Sequence, residues 1–288
     1  MNEVYDMKSK KYFYEYDEYE DGNKDAKTMV TEILEDPELS NLEEIVIGCW
    51  GECYDNSVQS IIDKMVENKD KLQHIKGFFI GDMDYEECEV SWIEQGDYQK
   101  FWSAFPTLEK LVIKGSQNLT LGKIEHNHLK SLEIICGGLP KVVLNELAES
   151  KLPQLEKLNL YIGVENYGFD GELADIQKVV ENTSFTNLKY LGIGDSEIQD
   201  EIVEVVLQSE LVKQLEGLEF SNGTLSDQGA QSLLNHKDKL SSLKVLDLHY
   251  HFLSDKMMRK VAQLVERVNL DEQQANDEEY GNFPMLTE

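Results

Sequence analysis

The sequence has 288 residues, 41% of them apolar, and a formal net charge of −29 that comes from 56 acidic against 27 basic side chains. Binding duplex nucleic acid or an anionic membrane surface normally requires Lys and Arg to displace counterions, so neither is an expected partner; the acidity would instead steer a basic protein or peptide inward. No stretch approaches the ~18–20 consecutive apolar residues of a membrane span.

In chain order, residues 1–25 come first and read as a capping segment. They carry Tyr5, Tyr12, Tyr14, Tyr16 and Tyr19 among acids. The alternation in YFYEYDEY predicts an edge strand that covers the first repeat. The short basic cluster at Lys8, Lys10 and Lys11 has no apolar run behind it. It is therefore not a secretory signal, and the expected location is the cytoplasm. The four cysteines, Cys49, Cys53, Cys88 and Cys136, are sparse for a disulfide scaffold and fit a reducing compartment. Cys49 and Cys53 lack the second pair that a structural zinc site would need.

From residue 26 to 270 one pattern recurs, L-x-x-L-x-L with Ile, Val or Phe standing in for Leu. Its copies are Leu42-Ile45-Ile47, Ile75-Phe78-Ile80, Leu108-Leu111-Ile113, Leu129-Leu132-Ile134, Leu155-Leu158-Leu160, Leu188-Leu191-Ile193, Leu215-Leu218-Phe220, Leu243-Leu246-Leu248 and Val265-Val268-Leu270. The starts are 33, 33, 21, 26, 33, 27, 28 and 22 residues apart. The last two apolar residues of each triad alternate with period two, which predicts a short strand with one buried face. The stretch after most strands reads as an amphipathic helix. Ser57, Asp200, Ser226 and Ser254 stand where helix caps are favoured, because their oxygens accept from unpaired helix amides. Pro140 precedes another helix, where its missing amide hydrogen is harmless. The interval of 21 residues after Leu108 leaves the least room for an outer helix. Strand plus helix at this period cannot bury an apolar face alone, so the units must stack.

The later repeats resemble ribonuclease-inhibitor-type leucine-rich repeats. In LEGLEFSNGTLSDQGAQSLL, Leu215 to Leu234, the residues Leu225, Gly229, Ala230 and Leu233 fall at that type's positions. More narrowly, GCWGECY (Gly48 to Tyr54), EVSWIEQGDY (Glu89 to Tyr98), GGLP (Gly137 to Pro140) and LDLHYHFLSDKMM (Leu246 to Met258) resemble a bacterial family of cytoplasmic leucine-rich-repeat proteins. That likeness covers roughly residues 26–288. It implies an α/β solenoid of about nine repeats, a horseshoe with a parallel β-sheet on the concave face and helices on the convex face. It brings no activity or cofactor with it. One departure stands out: the positions where such repeats often carry a ladder of Asn hold Trp50, Met83, Ser116, Gly137, Gly163, Ser196, Gly223 and His251. The turns must satisfy their backbone in other ways.

Strand alternation identifies the side chains that face the concave sheet. The central column is Val46, Phe79, Val112, Glu133, Asn159, Gly192, Glu219, Asp247 and Asn269. The column after it holds Lys114, Tyr161 and His249, and the column before it Lys110, Lys157 and Tyr190. Apolar and aromatic groups flanked by charge are the composition of a protein-binding face. The expected contact residues are Val46, Phe79, Val112, Lys114, Tyr161, Tyr190, Glu219, Asp247 and His249, with Trp92 added from the rim. Trp92 lies in the long insert Gly81 to Tyr98; a second insert, Gly163 to Gly171, carries Tyr167 and Phe169. Either could bind a partner or fill a gap between uneven repeats.

The sequence carries no G-x-S-x-G, H-E-x-x-H, P-loop or Rossmann fingerprint, so the expectation is a monomeric, non-enzymatic scaffold for a protein or peptide, without metal or cofactor. The alternative from a different class is a metal-binding protein or metal-dependent enzyme centred on Asp247, His249 and His251. A third reading makes the chain the substrate of a modifying enzyme. The acidic tail, residues 271–288, should be mobile in its first part, while Tyr280-Gly-Asn-Phe-Pro-Met-Leu is apolar enough to dock back.

Overall fold

The computed structural model describes residues 7–277 and 279–286. Ten strands form one parallel sheet in strict sequence order: β1 (Ser9–Tyr12), β2 (Glu44–Ile47), β3 (Gly77–Ile80), β4 (Lys110–Lys114), β5 (Ser131–Ile135), β6 (Lys157–Gly163), β7 (Tyr190–Ser196), β8 (Gly217–Glu219), β9 (Val245–Asp247) and β10 (Arg267–Asn269). The helices are α1 (Tyr16–Glu20), α2 (Ala26–Glu35), α3 (Gln59–Glu67), α4 (Lys69–Leu72), α5 (Gln99–Ala104), α6 (Lys141–Ala148), α7 (Leu173–Val180), α8 (Gln199–Gln208), α9 (Asp227–Asn235) and α10 (Asp255–Val261). Helices α6 to α10 pack each on the next, as α2 does on α3. The molecule is a leucine-rich-repeat solenoid, strands inside and helices outside.

The nine triads supply β2 to β10. Eight of them are buried, from Leu42 to Leu248. The ninth, Val265, Val268 and Leu270, is only partly buried, because β10 ends the sheet. Leu129–Ile134 is strand, and no helix lies between β4 and β5, as its short interval requires. There a histidine does part of a helix's work. His126 is buried, its Nε2 lies 3.0 Å from the Phe105 carbonyl, and its Nδ1 accepts from the Leu129 amide at 2.9 Å.

The tenth strand comes from the capping segment. It spans Ser9–Tyr12, upstream of most of the alternating tyrosine run, and pairs with β2 in parallel. Tyr16–Glu20 is helical instead. Lys10 and Tyr12 both hydrogen-bond the Asp36 carboxylate at the end of α2, which ties the edge strand to the first helix.

The predicted caps at Ser226 and Ser254 accept from Gln228 and Met257 amides, and Pro140 precedes α6. Ser57 accepts from the Gln59 amide at 3.0 Å. Asp200 does not cap its helix, because α8 begins one residue earlier, at Gln199. Its carboxylate reaches the neighbouring repeat and accepts from the amide and hydroxyl of Ser226.

Other groups replace the missing Asn ladder. Ser116 Oγ donates to the Gly138 carbonyl at 2.7 Å, Gln95 Nε2 to the Lys114 carbonyl at 2.8 Å, and Gln199 Nε2 to the Ile193 carbonyl at 2.8 Å. The GGLP turn has its own solution. Gly138 bridges Gly163, and a Cβ on Gly163, at φ +70°, would sit 1.8 Å from the Gly137 carbonyl oxygen. Only glycine permits that approach.

Candidate interaction surface

The strand register aligns the central column as read from the sequence: Val46, Phe79, Val112, Glu133, Asn159, Gly192, Glu219, Asp247 and Asn269 are successive partners across the sheet. Lys11 of β1 extends it by one. Lys110, Lys157 and Tyr190 align one column away, as do Lys114 and Tyr161 on the other side.

Exposure along these columns is less even than alternation implies. Val46, Phe79, Lys114, Tyr161, Tyr190, Asp247 and His249 are half-buried, while Val112 and Glu219 are buried. Val112 lies between β3 and β5, and Glu219 is covered because it is bonded. The Tyr190 hydroxyl donates to one Glu219 oxygen and Ser221 Oγ to the other, at 2.6 Å for the second. Burial and the Glu219 charge push the Tyr190 hydroxyl far above its ordinary range. Burial raises Tyr161 in the same direction. Trp92 stands 58% exposed on the rim. Part of its insert is built into the repeats, with Gln95 fully buried and accepting from the Tyr98 hydroxyl at 2.7 Å, while Tyr85 is 64% exposed.

Two of the three lysines that flank the central column already have acidic partners within the sheet. Lys110 pairs with Glu44 at 2.7 Å and Lys157 with Glu133 at 3.1 Å, each across the sheet. Lys114 donates to the Met83 carbonyl, and burial lowers its pKa. These pairs neutralise Lys110 and Lys157 before a partner arrives.

The set Asp247, His249 and His251 does not converge. His249 Nδ1 lies 2.8 Å from Asp247 Oδ1, and that hydrogen bond raises the histidine pKa. His251, fully buried, lies with Nε2 3.1 Å from the Leu270 carbonyl and accepts the Leu253 amide on Nδ1. Both of its ring nitrogens are committed to backbone. Among the described residues no group of three or more His, Cys, Asp or Glu side chains is placed to hold a metal ion. Cys49 and Cys53 are buried thiols 3.2 Å apart. No helix among the described residues is long and apolar enough to cross a membrane.

The strand-end rim carries a feature that the column reading passed over. Two residues beyond the last apolar position of the sixth to ninth triads stand Asp195, Asn222, Tyr250 and Glu272, all with positive φ between 55° and 63°. The Asp195, Asn222 and Tyr250 amides donate to the Ser221, His249 and Asp271 carbonyls of the next repeat. The same left-handed turn thus repeats along the rim, with Asp and Asn at two positions where the side chain tolerates it. The docked tail lies on this row. The Phe283 carbonyl accepts from the Tyr250 hydroxyl at 3.2 Å, the Met285 amide donates to the Asn222 carbonyl at 2.8 Å, and the Leu286 amide donates to Asp195 Oδ1 at 2.8 Å. Asp195 is fully buried, its Oδ2 has no hydrogen-bond partner, and burial pushes its pKa up to about 8. Counting two residues past each triad would have exposed this row in the sequence.

No protein-family model matches the sequence. No curated protein matches it either. Among solved structures, a leucine-rich-repeat protein from Leptospira interrogans aligns at 13% identity and a TM-score of 0.24 over 81% of this chain and 91% of that one, too distant to bear on the fold. A protein from Bacteroides fragilis, known from its crystal structure, is 42% identical, with a TM-score of 0.90 over 98% of this chain and 78% of the other. At that identity and coverage, the chain belongs to the same family as the Bacteroides fragilis protein.

Proposed function

We propose that the chain is a non-enzymatic, cytoplasmic scaffold whose repeats are of the ribonuclease-inhibitor-like type, and that it binds a protein partner across the concave sheet and its rim. The observation that carries this reading is Phe79 half-buried on the sheet face together with Trp92, 58% exposed at its edge. Aromatic anchors of this kind dominate binding energy. The surplus of acid, −29 in formal charge, favours a partner with basic residues at its contact. The buried Gly229, Ala230 and Leu233 of α9 support the repeat type. Val46, Tyr161, Tyr190, Asp247 and His249 frame the same face, with Val112, Lys114 and Glu219 beneath or beside them.

The test is a paired capture from the source cell with wild type and the Phe79→Ser/Trp92→Ala variant, followed by affinity measurement with the protein enriched. Neither change touches a buried triad, so the thermal midpoint should hold. Affinity should fall by at least about ten-fold, in line with ~2 kcal/mol for losing aromatic anchors. Equal binding by a folded variant would place the contact elsewhere.

A further inference from the structure

The contacts that hold the tail differ in kind from those of a structural cap. Among the described residues, the hydrogen bonds that join Phe283–Leu286 to the rim are made by tail main chain: the Phe283 carbonyl and the Met285 and Leu286 amides. The apolar side chains gain little, since Phe283 is 51% and Met285 55% exposed. Pro284 alone is buried. Recognition of an extended backbone plus one proline pocket transfers readily to other sequences, as in other cases where main-chain bonds supply affinity and one pocket supplies selectivity.

The tail crosses the repeats from the end of β9, at Tyr250, past β8, at Asn222, to β7, at Asp195. A peptide continuing that way meets a cleft of 560 Å³ between the Gly163–Gly171 insert and the turn before α8. Phe169 lines it with Glu165, Asp170, Glu172 and Glu197, and no Lys or Arg does. An acidic lining of this kind favours basic residues on the segment that reaches it.

We propose that the rim row Asp195–Asn222–Tyr250 and the adjoining acidic cleft form a binding site for an extended partner segment of apolar-Pro-apolar-apolar form followed by basic residues, and that Phe283–Leu286 occupies this site in cis until such a segment displaces it. The carboxyl Oδ2 of Asp195, buried and unpartnered beside the tail, is the independent mark of a site made for a polar ligand. The row meets the concave face at Tyr161, which the Asn222 side chain hydrogen-bonds, but its test does not depend on the Phe79 and Trp92 contact proposed above.

The experiment uses the full chain with Met285→Pro and Leu286→Pro. These changes delete the two donating amides and leave the repeats untouched, Met285 being exposed and Leu286 partly so. The probe is a labelled peptide of residues 280–288 with Thr287→Lys and Glu288→Lys, followed by fluorescence anisotropy. The undocked variant should bind it at least ten-fold more tightly than wild type does, and added salt should weaken that binding. A matching peptide with both positions Glu should bind at least ten-fold more weakly. Adding Phe79→Ser/Trp92→Ala should change nothing. Hydrogen exchange on the wild type should show the Met285 and Leu286 amides protected. The proposal fails if the undocked variant binds the basic peptide no better than wild type, or binds both peptides equally. It also fails if wild type sediments as a dimer that the two proline substitutions dissolve, which would make a second copy the occupant.

Discussion

Asp195 is a carboxylic acid kept neutral by its surroundings. Its ordinary pKa of 3.8 rises to about 8 through burial, only partly offset by the Leu286 amide. The folded chain therefore holds a proton that the unfolded chain has released at every pH between those two values. Stability is full below about pH 3.8, falls as pH rises through the window, and levels off above about pH 8. Asp195→Asn keeps an acceptor for Leu286 and removes the titration. Between pH 5 and 8 the wild type should lose thermal stability relative to this variant, by an amount on the order of a few kcal/mol. Parallel melting curves across that window would refute the assignment. The histidines make the converse case. Burial lowers the pKa of both His126 and His251, so each contributes stability above its ordinary value that is lost on acidification. Each bridges an amide and a carbonyl, His251 at a position of the missing Asn ladder and His126 in the helix-free link before β5, so neither turn leaves that backbone unpaired.

At the scale of elements, the sheet has two ends with different protection. β10 ends with its triad partly buried, whereas β1 is held by side chains. Asp36 takes a hydrogen bond from Lys10 and another from Tyr12, and its own side chain is only 5% exposed. Asp36→Ala should release this edge. Amide exchange should quicken across Ser9–Tyr12 and in β2 beside it, while β5 to β8 stay unchanged, since repeats couple mainly to their neighbours. The expected loss of stability is ~1–3 kcal/mol, typical of removing a charged hydrogen-bond acceptor. Uniform loosening of all ten strands would show that the cap does not act locally. Capping also marks where reading from the sequence stops. Ser226 and Ser254 were legible as caps because a helix start is a local event. Asp200 was not, because its carboxylate answers to Ser226 on the next repeat.

For the whole molecule, the excess of acid bears on stability as well as on partners. Lysines on the sheet are paired across strands, so the remaining −29 is a surplus of carboxylates without matching cations. Like charges spread over one solenoid repel, and salt screens them within a Debye length of ~8 Å at physiological strength. Raising sodium chloride from ~0.02 M to ~0.5 M should lift the thermal midpoint by several degrees. A midpoint that falls would mean that the cross-strand ion pairs outweigh the repulsion.

By itself the sequence determined the repeat, its register and the concave columns. An apolar triad with a strand at its end leaves one face to bury, and stacking in order is the arrangement that buries it repeat after repeat. The columns follow because side chains alternate with period two and the triads set the phase. Only the tertiary structure decided which columns are open, which lysines are already neutralised, where β1 lies and what the tail does. Leu286 and Asp195 are 91 residues apart. Val112 and Glu219 occupy the same column as Phe79 yet are covered. Such contacts depend on how far neighbouring repeats lean together and on which left-handed turn faces which carbonyl. Those quantities are set by packing across repeats of unequal length, and a pattern read within one repeat does not contain them.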